Sequence, residues 1–141
     1  MSIQAILLPL FVQVALTFGL LFWMAFARIG AIKRKETRMA DIALGQSNWP
    51  PKVQQIGNSY HSQFQIPVLF YALVALAILT KSADLLFVVM AWVFVLTRLL
   101  HAYIHTTSNT VRHRFNAFAL GMFILLAMWA IFAIRILLGL S

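Results

Sequence analysis

Arg98, His101 and His105 stand at spacing i, i+3 and i+7 inside an otherwise apolar run of this 141-residue chain. On an α-helix that spacing puts all three on one face over two turns, and Asn109 continues the line. A second polar stripe, Asn58, His61, Ser62 and Gln65, opens the preceding apolar run at the same periodicity. The chain has only three acids, Glu36, Asp41 and Asp84, and all three lie outside the apolar runs. Cationic and ionisable groups gathered on one face with no internal carboxylate call for an anionic partner, such as a peptide carboxylate or a lipid phosphate. The plainer role for each residue alone is structural: Arg98 reaching toward the interface, and the glutamine and histidines bonding between helices. His101 and His105 at i, i+4 could hold a metal or haem, but only His61 offers a third ligand, so none is assigned. Ser62 has no intramembrane acid to complete a nucleophilic triad.

The elements that must position these residues follow from composition. The chain is 62% hydrophobic and 10% charged, with a mean hydropathy of +0.89. A soluble domain carries roughly a quarter charged residues, so a soluble enzyme, a disordered segment and an acidic tail are excluded. There is no cysteine, which removes disulfide, thiolate and cysteine-ligated metal chemistry. Crossing a bilayer takes roughly 20 mostly apolar residues as a helix. Four stretches meet that need, at about residues 7–27, 62–79, 85–104 and 115–138. The first has no basic leader and no small-residue cleavage site, so it reads as a retained helix and not a signal peptide. The expectation is an all-α integral membrane protein, a single up-down four-helix bundle spanning residues 1–141.

The net charge of +8 has an explanation without nucleic acid. Arg28, Lys33, Arg34, Lys35, Arg38, Lys52, Arg112 and Arg114 account for eight of the eleven Lys/Arg, and they fall in the long first connection, 28–57, and in the third. The positive-inside rule then places both connections in the cytoplasm and both termini outside it. The short turn at 81–84 makes the second and third spans antiparallel neighbours. Pro50–Pro51 ends any continuation of the first helix and precedes a new start. Pro67 sits near a helix beginning, where a missing amide costs little. Ala117 and Gly121 form a small-xxx-small pair suited to close helix approach.

Several segments together resemble bacterial members of the MAPEG family, the membrane-associated proteins of eicosanoid and glutathione metabolism. They are Phe64-Gln65-Ile66-Pro67-Val68-Leu69-Phe70-Tyr71, then Ala91-Trp92, Arg98-Leu99-Leu100-His101, Ile104-His105, Asn109, Arg114-Phe115, and finally Met128-Trp129. The resemblance implies a homotrimer in a bacterial inner membrane, alone or within a larger membrane complex, with ligand clefts between subunits. There, glutathione transferases and peroxidases use glutathione as co-substrate against lipophilic electrophiles. It also implies Arg114 as the thiolate-stabilising residue, with Arg28, His61, Ser62, Gln65, Arg98, His101 and His105 around the glutathione. The family's glutathione binders carry Arg-Asn-x-x-Glu where this chain has His61, Ser62 and Gln65, and Tyr in eicosanoid-type members where it has His105. A neutral Gln65 would hold the glutathione ammonium without charge. The alternative function is therefore a non-catalytic trimeric scaffold or accessory subunit whose clefts bind lipid headgroups.

Overall fold

The computed structural model describes residues 1–45 and 48–139. It is all-helical among those residues: α1 (Ile3–Lys33), α2 (Pro51–Ser62), α3 (Ile66–Leu79), α4 (Leu85–Thr106) and α5 (Val111–Leu137), with a single 3-10 turn at Met39–Asp41. α2 and α3 together form one span, so four helical segments are long and apolar enough to cross a membrane. Each boundary has a local cause. Ser2 caps α1 by accepting from the Ala5 amide at 3.2 Å, and Asp84 caps α4 by accepting from the Phe87 amide at 3.0 Å, each satisfying an otherwise orphaned N–H. α2 starts on Pro51, whose missing N–H is no loss at a first helical position.

The helices overrun the apolar stretches. α1 continues through Arg28 to Lys33, and α2 begins at Pro51, so both ends of the basic 28–57 connection are helical. The second span also differs in kind from the continuous helix expected over 62–79. Pro67 cannot donate to the carbonyl four residues back, and its ring crowds that carbonyl. The helix accordingly stops at Ser62 and restarts at Ile66.

α4 is the central element. Half of its most apolar window is buried, against 22% for α1 and for α5, and it packs on α1, α2 and α5. The core gathers Phe70, Leu73, Val74 and Ala77 of α3 with Phe87, Ala91, Phe94 and Val95 of α4 and Leu125 and Met128 of α5. Phe70 and Phe94 stack with centroids 4.8 Å apart. Gly121 lets α5 pack tightly against α4, because a Cβ there would lie 2.6 Å from Thr97 Oγ1. At the far end Arg135 Nη2 pairs with Asp84 at 2.8 Å.

Two stability predictions follow from these contacts. Gly121→Ala should cost about 1–3 kcal/mol through overpacking, and Thr97→Ala added to it should recover most of the loss, read as thermal midpoints in detergent. Partial burial pushes the Asp84 carboxyl up, but the Phe87 amide and the Arg135 guanidinium outweigh this and hold it below its ordinary value. Its contribution is thus complete above the unfolded carboxylate value of about 3.9 and disappears as pH falls through the lower folded value. Asp84→Asn keeps the cap and loses the ion pair. It should destabilise by about 1 kcal/mol or less at neutral pH, with the difference vanishing in acid. A gap that widened on acidification would refute the assignment.

Candidate functional site

The site lies at the end of the bundle where the basic connections meet, between the C-terminal half of α2, the last two turns of α4 and the first two of α5. It is an open cleft of about 470 Å³, within the roughly 300–1,000 Å³ of small-molecule sites. Asn58, His61, Ser62 and Gln65 form one wall, His101 and His105 the floor, and Arg114 stands opposite with Val111, Phe115 and Phe118. No Asp or Glu lines it among the described residues.

The floor is built by helix periodicity: His101 and His105 sit one turn apart on α4, edge to face with centroids 5.4 Å apart. Both are buried, and each leaves Nδ1 without a hydrogen-bond partner among the described residues. A buried polar atom left unpaired costs roughly 1–3 kcal/mol. Arg114 is set by the turn between α4 and α5. Asn109 adopts a left-handed conformation with φ of 50°, which asparagine tolerates better than most residues, and its amide donates to Ile104 O at 2.7 Å. Its Oδ1 then accepts from Arg114 Nη1 at 2.7 Å, holding the guanidinium at the rim. The α2 wall is tied to the same turn, since Lys52 Nζ donates to Thr106 O and Gln55 Nε2 to Thr107 O at 3.0 Å.

Six residues singled out from the sequence, His61, Ser62, Gln65, His101, His105 and Arg114, converge on this cleft. Arg98 does not line it. It is fully buried behind the wall, with Nη2 donating to Ser62 O at 3.1 Å and to Ser62 Oγ at 2.7 Å. Its charge therefore sits at the C-terminal end of α2, the negative pole of that helix. Arg28 lines a neighbouring chamber instead, together with Trp49 and Gln54, and the two compartments share Asn58 and His61.

Sequence reasoning passed over a second buried link. Gln13 in the middle of α1 and Gln63 at the helix break are both almost fully buried. Gln13 Nε2 donates to Gln63 Oε1 at 2.8 Å, while Gln63 Nε2 donates to Ser59 O at 3.0 Å. Gln13, a lone amide in an apolar run, was the available signal. Gln65, by contrast, is exposed and free to face the cleft.

The MAPEG family model matches residues 6–134, from the first turn of α1 to near the end of α5. The chain belongs to the MAPEG family. No curated protein and no solved structure matches it. This MAPEG chain thus combines a multi-pass helical membrane fold with a cation-bearing cleft at its basic end.

Ser62→Ala should remove one charge-assisted bond from Arg98 while sparing the carbonyl contact, at a cost of about 1.5–3 kcal/mol. Thermal unfolding in detergent reads this directly, and a loss no larger than that of an exposed control such as Ser108→Ala would show that the clamp carries no stability.

Proposed function

We propose that this MAPEG protein is a glutathione transferase or peroxidase acting on lipophilic electrophiles, in clefts completed by neighbouring protomers of a homotrimer. The observation that carries the reading is the two-sided cleft: Arg114 and two histidines beside an apolar wall of Val111, Phe115 and Phe118. Glutathione brings two carboxylates, an ammonium and a thiol. The cationic side suits the carboxylates and a thiolate, while only the neutral oxygens of Gln65 and Asn58 are offered to the ammonium. Arg114 beside the sulfur would favour the thiolate by placing a positive charge near it. The thiolate then attacks the electrophilic carbon, forming the C–S bond as the leaving group departs with its electron pair; the thiol proton goes to water. The aromatic wall of Phe115 and Phe118 suits a substrate entering from lipid. In this reading the basic connections face the cytoplasm and the termini lie outside it.

The deciding experiment is titration of the detergent-purified protein with glutathione by calorimetry, alongside Arg114→Ala. Saturable binding is expected, with conjugation in Arg114→Ala falling by about 10²–10³-fold, as when one preorganised donor to a developing anion is removed, and with the assembly intact. Unchanged turnover in that variant would sink the assignment. Absence of binding at millimolar glutathione would instead favour the scaffold reading, in which the carboxylate-free cleft holds a lipid phosphate.

A further inference from the structure

The first connection holds apolar side chains in the open. Met39 is 69% exposed and Leu44 88%, the highest value of any large apolar side chain among the described residues. Ala40 and Ala43 between them are exposed as well. The backbone beneath them is fixed by successive turns, with Asp41 N donating to Arg38 O, Ile42 N to Met39 O and Gly45 N to Ile42 O at 3.0–3.2 Å. Asn48 Nδ2 donates to Asp41 O at 2.6 Å, and the buried Thr37 donates through Oγ1 to Asn48 O at 3.1 Å, so the two arms of the loop are tied together. Single apolar residues on a surface are ordinary, but this stretch also carries four cations. Arg34 is paired with Glu36 at 2.9 Å and Arg38 with Asp41 at 3.3 Å. Lys33 and Lys35 have no acidic partner among the described residues.

The level of this loop follows from α1. The apolar run of that helix ends at Ala27, and Arg28 is its first charged residue. The helix continues to Lys33, about 7.5 Å further into the headgroup region at 1.5 Å per residue. Lys35, left-handed with φ of 60°, then turns the chain back. Ile42 and Gly45 line the chamber that Arg28 and Trp49 share, and the Arg28 guanidinium carbon lies 4.9 Å from the Trp49 ring centroid. The connection therefore descends beside α1 from the level of Lys33 toward that of Arg28, where hydrocarbon gives way to headgroups. Leu44 stands between Ile42 and Gly45 in the chain but turns its side chain outward. Apolar tips beside free lysines are the make-up of a segment lying in a membrane interface. There the tips enter the acyl boundary and the ammonium groups meet anionic headgroups.

We propose that the loop at residues 39–44 is an interfacial anchor, with Met39 and Leu44 inserted into a leaflet of anionic phospholipid while Lys33 and Lys35 meet its phosphates. The anchor is separate from the glutathione reading and is tested without turnover. Because the chain contains no cysteine, Ala43→Cys accepts a single environment-sensitive nitrobenzoxadiazole label with Met39 and Leu44 intact. The labelled full-length protein is reconstituted into vesicles of equal phosphatidylglycerol and phosphatidylcholine. Quenching by nitroxide on the lipid acyl chains is then compared with quenching by aqueous iodide. Strong nitroxide quenching and shielding from iodide are expected. Met39→Gln combined with Leu44→Gln should reduce the nitroxide quenching about threefold, because apolar burial holds such a segment in the interface. Lys33→Gln combined with Lys35→Gln, or vesicles of phosphatidylcholine alone, should reduce it by about as much through lost headgroup attraction. Every side chain replaced is exposed, so the fold is kept in all of these variants. Free access of iodide without nitroxide quenching would overturn the proposal. So would nitroxide quenching unchanged by the glutamine variants or by removal of phosphatidylglycerol. Shielding from both quenchers would also overturn it, and would reassign the loop to a contact with another copy of the chain.

Discussion

A guanidinium buried in a membrane-spanning bundle sets the terms for the rest of this molecule. Placing an arginine at the centre of a spanning helix costs about 2.5–3.5 kcal/mol on insertion scales, and Arg98 has no carboxylate within its spans to offset that. What it has is the end of a helix. α2 stops at Ser62, ahead of Pro67, and there Arg98 donates to the Ser62 carbonyl, which also accepts from the Gln65 amide at 3.2 Å, and to the serine hydroxyl. The negative pole of a helix terminus thereby takes the place of an acid.

Arg98 thus fastens α4 to the end of α2, beside the cleft. Ending α2 at Ser62 frees the Gln63–Gln65 segment to turn. Gln63 goes inward to Gln13 and Gln65 stays outward at the cleft edge. α4 supplies Arg98 from one part of its face and His101 and His105 from the next turns, so one helix both anchors the α2 wall and provides the floor opposite it. Lys52 and Gln55 tie the same wall to the end of α4. Among the described residues, the buried side-chain polar atoms that remain unpaired are the two Nδ1 atoms of the floor, Arg98 Nε and Nη1, Ser59 Oγ, Gln13 Oε1, and Arg28 Nε and Gln54 Oε1 of the adjoining chamber. Polar groups in lipid-facing proteins are expensive to leave unmatched.

Family membership fits this arrangement without specifying the chemistry, because a fold hosts more than one activity. The departures at His61, Ser62 and Gln65 acquire a physical meaning in the structure. Ser62 is the partner of Arg98, so that position serves the architecture as well as the cleft rim. Gln65 and His61 are exposed, and their substitution alters what the cleft offers to a ligand without disturbing the packing beneath it.

Four spans, a basic end and two polar stripes are properties of local pattern. They follow from the thickness of a bilayer, the 3.6-residue period and the siting of Lys and Arg between apolar runs, so the sequence by itself determined them. Tertiary structure decided the rest. Gln63 and Gln65 are two residues apart and would point to opposite sides of an ideal helix, but a break between them resets the phase, and only packing against α1 selects Gln63 for burial. Arg98 and Arg28 look like ligands when read as charges in a row. One instead finds a carbonyl 36 residues away in the chain, and the other lies against Trp49 in a separate chamber. Partners so distant in sequence leave no periodic trace. They are fixed by how the helices pack and where the second span is interrupted.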